Sequence, residues 1–238
     1  MSGPLAILAA GSLRHALPEL APPGARLRFG PAGQLRRDIE AGAPCDLFLS
    51  ANLAHPEALA ARRPGADVVC FTTNGVVALA RPDLAMTPER FLDVLLDPTV
   101  RLGTSTPGAD PGGDYALALF ARAGRIRPGA EQILAEKARH LVGGWGTLST
   151  PPLVSLLGEN LVDVFLCYHT TALALGEKLD GKFQPVPPPE PLRILARYGG
   201  VILAKTPDSQ RDSATLLARL RGRDGQATLA RYGFGSPA

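Results

Sequence analysis

An α/β fold, in one large domain or two lobes, is what this sequence predicts, and three observations predict it. Short apolar runs of strand length alternate with amphipathic, Ala/Leu/Arg-rich segments of helix length along the chain. Hydrophobic residues make up 45% and charged residues 20% of the 238, the usage of a globular protein with a well-filled core. No internal repeat at a fixed period is present, so the length suits one large domain or two lobes of about 100 residues each.

AILAA (6–10) is the first strand, and Gly11-Ser12 hands it directly to LRHALPEL (13–20), where Leu13, Leu17 and Leu20 recur at helical spacing. Ser12 therefore stands where a helix cap or an anion donor would. ARLRF (25–29), CDLFLS (45–50), DVVCFTT (67–73) and GVVALA (75–80) follow as strands, separated by the helical GQLRRDIEAG (33–42) and HPEALAARR (55–63). The alternation continues through TPERFLDVLLD (87–97), VRLGTS (100–105), DYALALFARAG (114–124), AEQILAEKARHLV (130–142) and PLVSLLGEN (152–160). DVFLCYH (163–169) is a buried strand and TALALGEKL (171–179) a helix. Prolines hold FQPVPPPEP (183–191) extended. YGGVILAK (198–205) is a last buried strand, and a helical region carrying Leu216, Leu217, Leu220 and Leu229 closes the chain, with Gly233 as its stop. The layout divides as 1–78 with 203–238 in one lobe and 79–202 in the other.

Charge and composition exclude several functions. The formal charge of +3 comes from 25 Lys+Arg against 22 Asp+Glu, spread without a basic block, and aromatics are only 5%. No nucleic-acid partner is expected. No apolar run approaches the roughly 18 to 20 residues of a membrane span. Met-Ser-Gly-Pro leads straight into the first strand, with no signal-peptide n-region, h-region or cleavage site. Cys45, Cys70 and Cys167 are scattered and odd in number, which fits small apolar residues better than a disulfide or zinc framework. G-x-S-x-G, G-x-x-x-x-G-K-[ST] and a βαβ G-x-G-x-x-G are all missing, and Ser12 with His15 lacks an orienting acid, so no enzyme is expected.

Four loop-to-helix junctions share one chemistry. Gly11-Ser12, Gly30 to Gln34, Thr104 to Asp114 and Gly146 to Pro152 each offer free backbone N–H groups, small residues or hydroxyls. A helix start carries roughly half a positive charge. Several converging starts would offset a dianion without Lys or Arg. Asp110 and Asp114 read as helix caps, or as carboxylates that would repel a fully ionised anion.

AAGSL (9–13), FGPAGQLRRDIEAGAPCDLFLSAN (29–52), RLGTSTPGADPGGDYALALF (101–120), DVFLCYHTTAL (163–173) and LARYGF (229–234) resemble, in order and spacing, the molybdate-binding proteins of bacterial ABC importers. IEAGAPCDLFLSAN (39–52) is the most specific piece. The resemblance implies a type-2 periplasmic binding-protein fold: two α/β lobes around a ligand cleft, joined by two crossover strands. It implies a periplasmic, monomeric, non-catalytic shuttle that binds molybdate or tungstate, needs no other cofactor, and meets a membrane permease. Ser12, Leu13, Ala32, Gly33, Gly112, Thr150 and Tyr168 fall at ligand-binding positions, with Thr104, Ser105, Thr106, Asp110 and His169 as further cleft candidates. Three departures stand out: Ala32 replaces a usual second serine, Thr171 a common acidic residue, and the 104–114 loop differs. Tyr168, His169, Asp110, Asp114 and Cys167 leave a transition metal, a metal chelate or another small anion as the alternative ligand.

Overall fold

The computed structural model describes residues 3–144, 153–159 and 161–237. The chain forms two compact units, Met1–Asn74 with Ala196–Ala238, and Gly75–Leu195. The divisions fall at 74/75 and 195/196, where the expected ones were 78/79 and 202/203. The reason is that each crossing lies inside an unbroken strand, Val68–Ala80 and Leu195–Ile202.

The first unit opens with β1 (Ala6–Ala10), buried throughout. A 3-10 turn (Gly11–Leu13) and the four-residue α1 (Leu17–Leu20) follow, in place of the single helix expected over 13–20. Pro18 explains this. A helix running from residue 13 would place Pro18 in its interior, where it lacks an N–H and its ring clashes with the preceding turn; in α1 it occupies the first turn, where neither matters. β2 (Arg26–Gly30), α2 (Ala32–Glu40), β3 (Leu47–Ser50) and α3 (Ala54–Ala60) come next, and the chain leaves along β4 (Val68–Ala80).

In the second unit β4 leads to α4 (Phe91–Leu96), β5 (Leu102–Ser105), α5 (Pro111–Ile126) and α6 (Ala130–Lys137). The segment 130–142 is not one helix. It turns extended at Ala138 and becomes β6 (Arg139–Val142), whose backbone pairs in parallel with β5. α7 (Leu153–Gly158), β7 (Val164–Tyr168), α8 (His169–Leu175) and β8 (Gln184–Val186) complete it. The sheet order is β4-β7-β5-β6, with β8 also on β4. The proline-rich connection thus contributes a three-residue edge strand, with Pro185 opposite Leu79. Successive residues of β4 enter different cores: Val76, Ala78 and Ala80 pack with Phe91, Leu95 and Phe120, whereas Val77 and Leu79 pack with Leu157, Phe165 and Phe183. Burial on both faces is why its second half, GVVALA (75–80), reads as an unbroken apolar run, and the two strands expected at 67–73 and 75–80 are one.

The chain returns on β9 (Leu195–Ile202), then α9 (Pro207–Arg221) and α10 (Arg223–Arg231). The first unit's sheet runs β2-β1-β3-β9, with β9 antiparallel. Leu35 and Ile39, one turn apart on α2, pack with Leu8, Phe48, Leu59 and Val201. The C-terminal helical region is two helices, tightly apposed: a Cβ on Gly225 would stand 2.0 Å from the Arg219 carbonyl oxygen.

At the start of β7 the Asp163 carboxylate collects the Arg101 backbone N–H (2.8 Å), its Nε (2.8 Å) and Nη2 (2.6 Å), and Nη1 of Arg81 (3.3 Å). These donors outweigh its burial and hold the carboxyl at about 2, below its ordinary 3.8. A depressed carboxyl stabilises the fold above its unfolded value, and that contribution is lost as pH falls from about 4 toward 2. Asp163→Asn is expected to lower the melting temperature at pH 7, with the gap to wild type closing by pH 2, as followed by thermal unfolding across that range.

Candidate functional site

Strand register assembles the polar groups of the first unit. β1 and β2 run parallel with Ala10 opposite Gly30, and β1 and β3 with Ala9 opposite Leu49, so all three strands end at the same edge of their sheet. In open α/β sheets ligands bind outside those carboxyl ends. The Gly11-Ser12 and Pro31-Ala32-Gly33 junctions are therefore neighbours. β9 runs the other way with Gly199 opposite Ser50, which brings Tyr198 to the same edge.

Ser12 is not a helix cap: the 3-10 turn has Ala10 at its N-cap, without a side-chain bond. Its Oγ instead lies 2.8 Å from the Tyr198 hydroxyl, to which Asn74 Nδ2 donates at 3.2 Å. The Tyr198 ring is fully buried and meets Phe71 (6.2 Å) and Phe234 (5.5 Å) edge-on. Phe234 is placed there by the end of α10. The Gly233 N–H donates to the Ala230 carbonyl (2.9 Å) and the Phe234 N–H to Leu229 (3.2 Å), with Gly233 at φ +87°, a left-handed helix stop that this glycine was expected to supply.

Leu13 has a fully buried side chain, so only its main chain is available to a ligand. α2 begins with Pro31 at its N-cap and no side-chain cap, and Ala32 and Gly33 are buried at its first positions. The leading N–H groups of this nine-residue helix have no side-chain cap, and the helix starts at the strand end adjacent to the one Ser12 follows. Arg14, which nothing in the sequence singled out, folds back so that its Nε donates to the Gly11 carbonyl at 3.1 Å. His15 is exposed, and the Ser12 hydroxyl turns to Tyr198.

In the second unit β5 runs parallel to β7, with Gly103 opposite Phe165, and to β6, with Ser105 opposite Val142. Ser105, Val142 and Tyr168 therefore end together. Asp110 caps α5, accepting from the Gly112 N–H at 3.0 Å and bonding the Ser105 hydroxyl. Burial pushes its carboxyl above the ordinary value, partly opposed by those two donors. Asp114 accepts from the Gly108 N–H at 2.8 Å. A Cβ on Gly112 would stand 3.1 Å from Ser105 Oγ, and one on Gly113 2.4 Å from the Pro107 nitrogen, so the two glycines are what let the loop fold this closely.

The three hydroxyls at 104–106 thus have partners within the unit. Thr104 Oγ1 donates to the Ser105 carbonyl (3.0 Å) and lies 3.0 Å from His140 Nδ1, and Thr106 Oγ1 donates to the Val142 carbonyl (3.0 Å). Tyr168 ends β7, is 8% exposed, and meets Tyr115 edge-on at 6.3 Å. The strand does not extend to His169, which instead opens α8. The strand expected over 163–169 ends one residue early. The sequence thus held a further strand-to-helix junction, at 168–169. Thr150, Trp145 and the 146–152 junction lie outside the described residues. Among the described residues no group of three His, Cys, Asp or Glu is placed to hold a metal ion. Burial pushes the Cys45 and Cys167 thiols up to about 12, the behaviour of small core residues.

The family model of bacterial extracellular solute-binding proteins matches residues 5–235. The uncharacterized protein PM1146 of Pasteurella multocida is 38% identical over 186 residues, 73% of this chain and 77% of its own. Among solved structures, the Azotobacter vinelandii periplasmic molybdate-binding protein superposes with a TM-score of 0.75 at 18% identity, covering 98% of this chain and 100% of that one. The sulfate-binding protein SubI of Mycobacterium tuberculosis gives 0.76 at 16% identity, with 98% and 86% covered. The substrate-binding domain of a putative molybdenum ABC transporter of Clostridium difficile gives 0.67 at 18%, with both chains covered in full. The fold is that of the periplasmic binding proteins.

Replacing the α5 cap separates its two roles. Asn keeps the acceptor for the Gly112 N–H without the charge, whereas Ala removes both. Asp110→Ala is expected to be less stable than Asp110→Asn by about 1 kcal/mol in denaturant melts. Wild type should lose stability relative to Asp110→Asn as pH rises, because a carboxyl with a raised folded pKa is penalised once ionised.

Proposed function

Because this chain belongs to the bacterial extracellular solute-binding proteins, we propose that its solute is a tetrahedral oxyanion, molybdate or tungstate, delivered to the permease of an ABC transporter. The observation that carries this reading is the set of uncharged donors at adjacent strand ends of the first unit: the Ser12 hydroxyl after β1 and the start of α2 after β2, which has no side-chain cap. Such donors hold a dianion through fixed N–H and O–H dipoles, and a helix start contributes roughly half a positive charge. Ala32 removes one hydroxyl that the resembling proteins usually have, but leaves its own N–H and that of Gly33 in the first turn.

In the second unit the reading assigns Tyr168 as a hydroxyl donor. Gly112 and Ser105 already serve Asp110, so a ligand approaching them would have to compete with that carboxylate. The half-buried Asp110 favours, as second reading, a small anion that carries a proton on one oxygen, which a carboxylate accepts. Molybdate and tungstate differ from sulfate in size, not charge, so size is the discriminating property. The relatives named for molybdate and for sulfate support an oxyanion of this class. The reading places the protein in the periplasm as a monomer, with no chemistry performed on its solute.

Calorimetric titration with molybdate, tungstate, sulfate and phosphate tests this. Heat is expected from the first two, with weaker binding of sulfate. Phosphate binding in preference to the others would favour the protonated anion, and absence of heat and of any melting shift with all four would remove the reading. Ser12→Ala and Tyr168→Phe are each expected to weaken molybdate by one to two decades, since a hydrogen bond to a charged group is worth about 1.5 to 3 kcal/mol.

A further inference from the structure

We infer that Tyr198 is a positioning residue for the solute site: its hydroxyl accepts a hydrogen bond from Asn74 and donates one to Ser12, which leaves the Ser12 hydrogen to point at a bound anion. This rests on the oxyanion reading for what Ser12 contacts, but not for the geometry that fixes it. A hydroxyl has one proton to give and two lone pairs. Asn74 Nδ2 donates to Tyr198 Oη at 3.2 Å, and Oη sits 2.8 Å from Ser12 Oγ. With Ser12 Oγ accepting from the phenol, its own hydrogen is directed away from the protein interior. Tyr198 is 0% exposed, whereas Ser12 is half-buried. The contact thus joins a fully buried phenol to an accessible serine.

The phenol is itself rigidly placed. Phe71 and Phe234 flank its ring on edge, and Phe234 is held by the Gly233 helix stop. The neighbouring Gly199 and Gly200 leave no room for side chains: a Cβ on Gly199 would stand 2.9 Å from Leu53 Cδ2, and one on Gly200 2.7 Å from Leu217 Cδ2. The backbone carrying Tyr198 is locked against its neighbours. Serine otherwise has three staggered side-chain rotamers within reach. A fixed partner selects one, so less rotamer freedom is lost when a ligand is bound.

Tyr198→Phe keeps the ring and removes one oxygen. In calorimetric titration with molybdate it is expected to weaken binding at least fivefold in the wild-type background and less than twofold in Ser12→Ala, because its effect passes through the serine. A merely structural role would weaken both backgrounds alike. Equal losses in both, or less than a twofold change in wild type, would overturn the inference. A second measurement stands apart from ligand identity: crystal structures of the unliganded proteins. A single Ser12 rotamer in wild type that splits or shifts in Tyr198→Phe supports the positioning role, and an unchanged rotamer refutes it. Should wild type bind none of the oxyanions, the oxyanion reading falls while the rotamer comparison still decides the role of Tyr198.

Discussion

Parallel strand pairing is the constraint on which everything functional in this chain depends. Once β1, β2 and β3 are hydrogen-bonded in parallel, their carboxyl ends must lie along one edge, and each loop that leaves them must start there. Polar junctions far apart in sequence, at 11–12 and 30–34, become neighbours without any contact chosen for that purpose. The same rule operates in the second unit, where β5, β6 and β7 end together. Antiparallel β9 supplies the complement, since only a reversed strand can bring the beginning of its own run, and with it Tyr198, to that edge.

The two units use their junctions differently. In the first, α2 starts without a side-chain cap and the Ser12 hydroxyl is supported from behind by a buried phenol. In the second, Asp110 closes the start of α5 from within, taking the Gly112 N–H and the Ser105 hydroxyl. A capped start satisfies its own donors, and an uncapped one leaves them for something else. The Asp163 cluster shows the same economy at the opposite end of β7, where one carboxylate ties together a backbone N–H and two guanidinium groups.

Periodicity alone made the α/β class legible, and most strands fall where their apolar runs lie. The misreadings have local causes. Leu13, Leu17 and Leu20 keep helical spacing, but Pro18 forbids the helix that spacing suggests. RHLV (139–142) follows a helix without a break in polarity, and only pairing with β5 makes it a strand. The position of Ser12 just after β1 could be read from the residues around it, whereas Tyr168 was singled out by the family resemblance, inside a strand expected to run on to His169. Tyr198 could not be read from its neighbours, because its partners Asn74, Phe71 and Phe234 lie more than thirty residues away in sequence. One clue was available in retrospect: a Gly-Gly pair inside an apolar strand marks a place where other groups come too close for any side chain. Asp110 and Asp114 were read as helix caps or as repelling carboxylates, and Asp110 is the cap of α5 while Asp114 lies in its first turn.

The first unit is made from both ends of the chain, Met1–Asn74 and Ala196–Ala238, with Gly75–Leu195 inserted in the middle. During synthesis the inserted unit emerges whole, while its partner waits for β9, α9 and α10 before its sheet can close. Contacts spanning so much sequence form late, since a long loop must first be restrained. Tyr198 and Phe234 belong to that last-arriving segment. Until β9 has joined the sheet, Ser12 has no Tyr198 hydroxyl to bond, so the serine's support is among the last contacts the first unit can make.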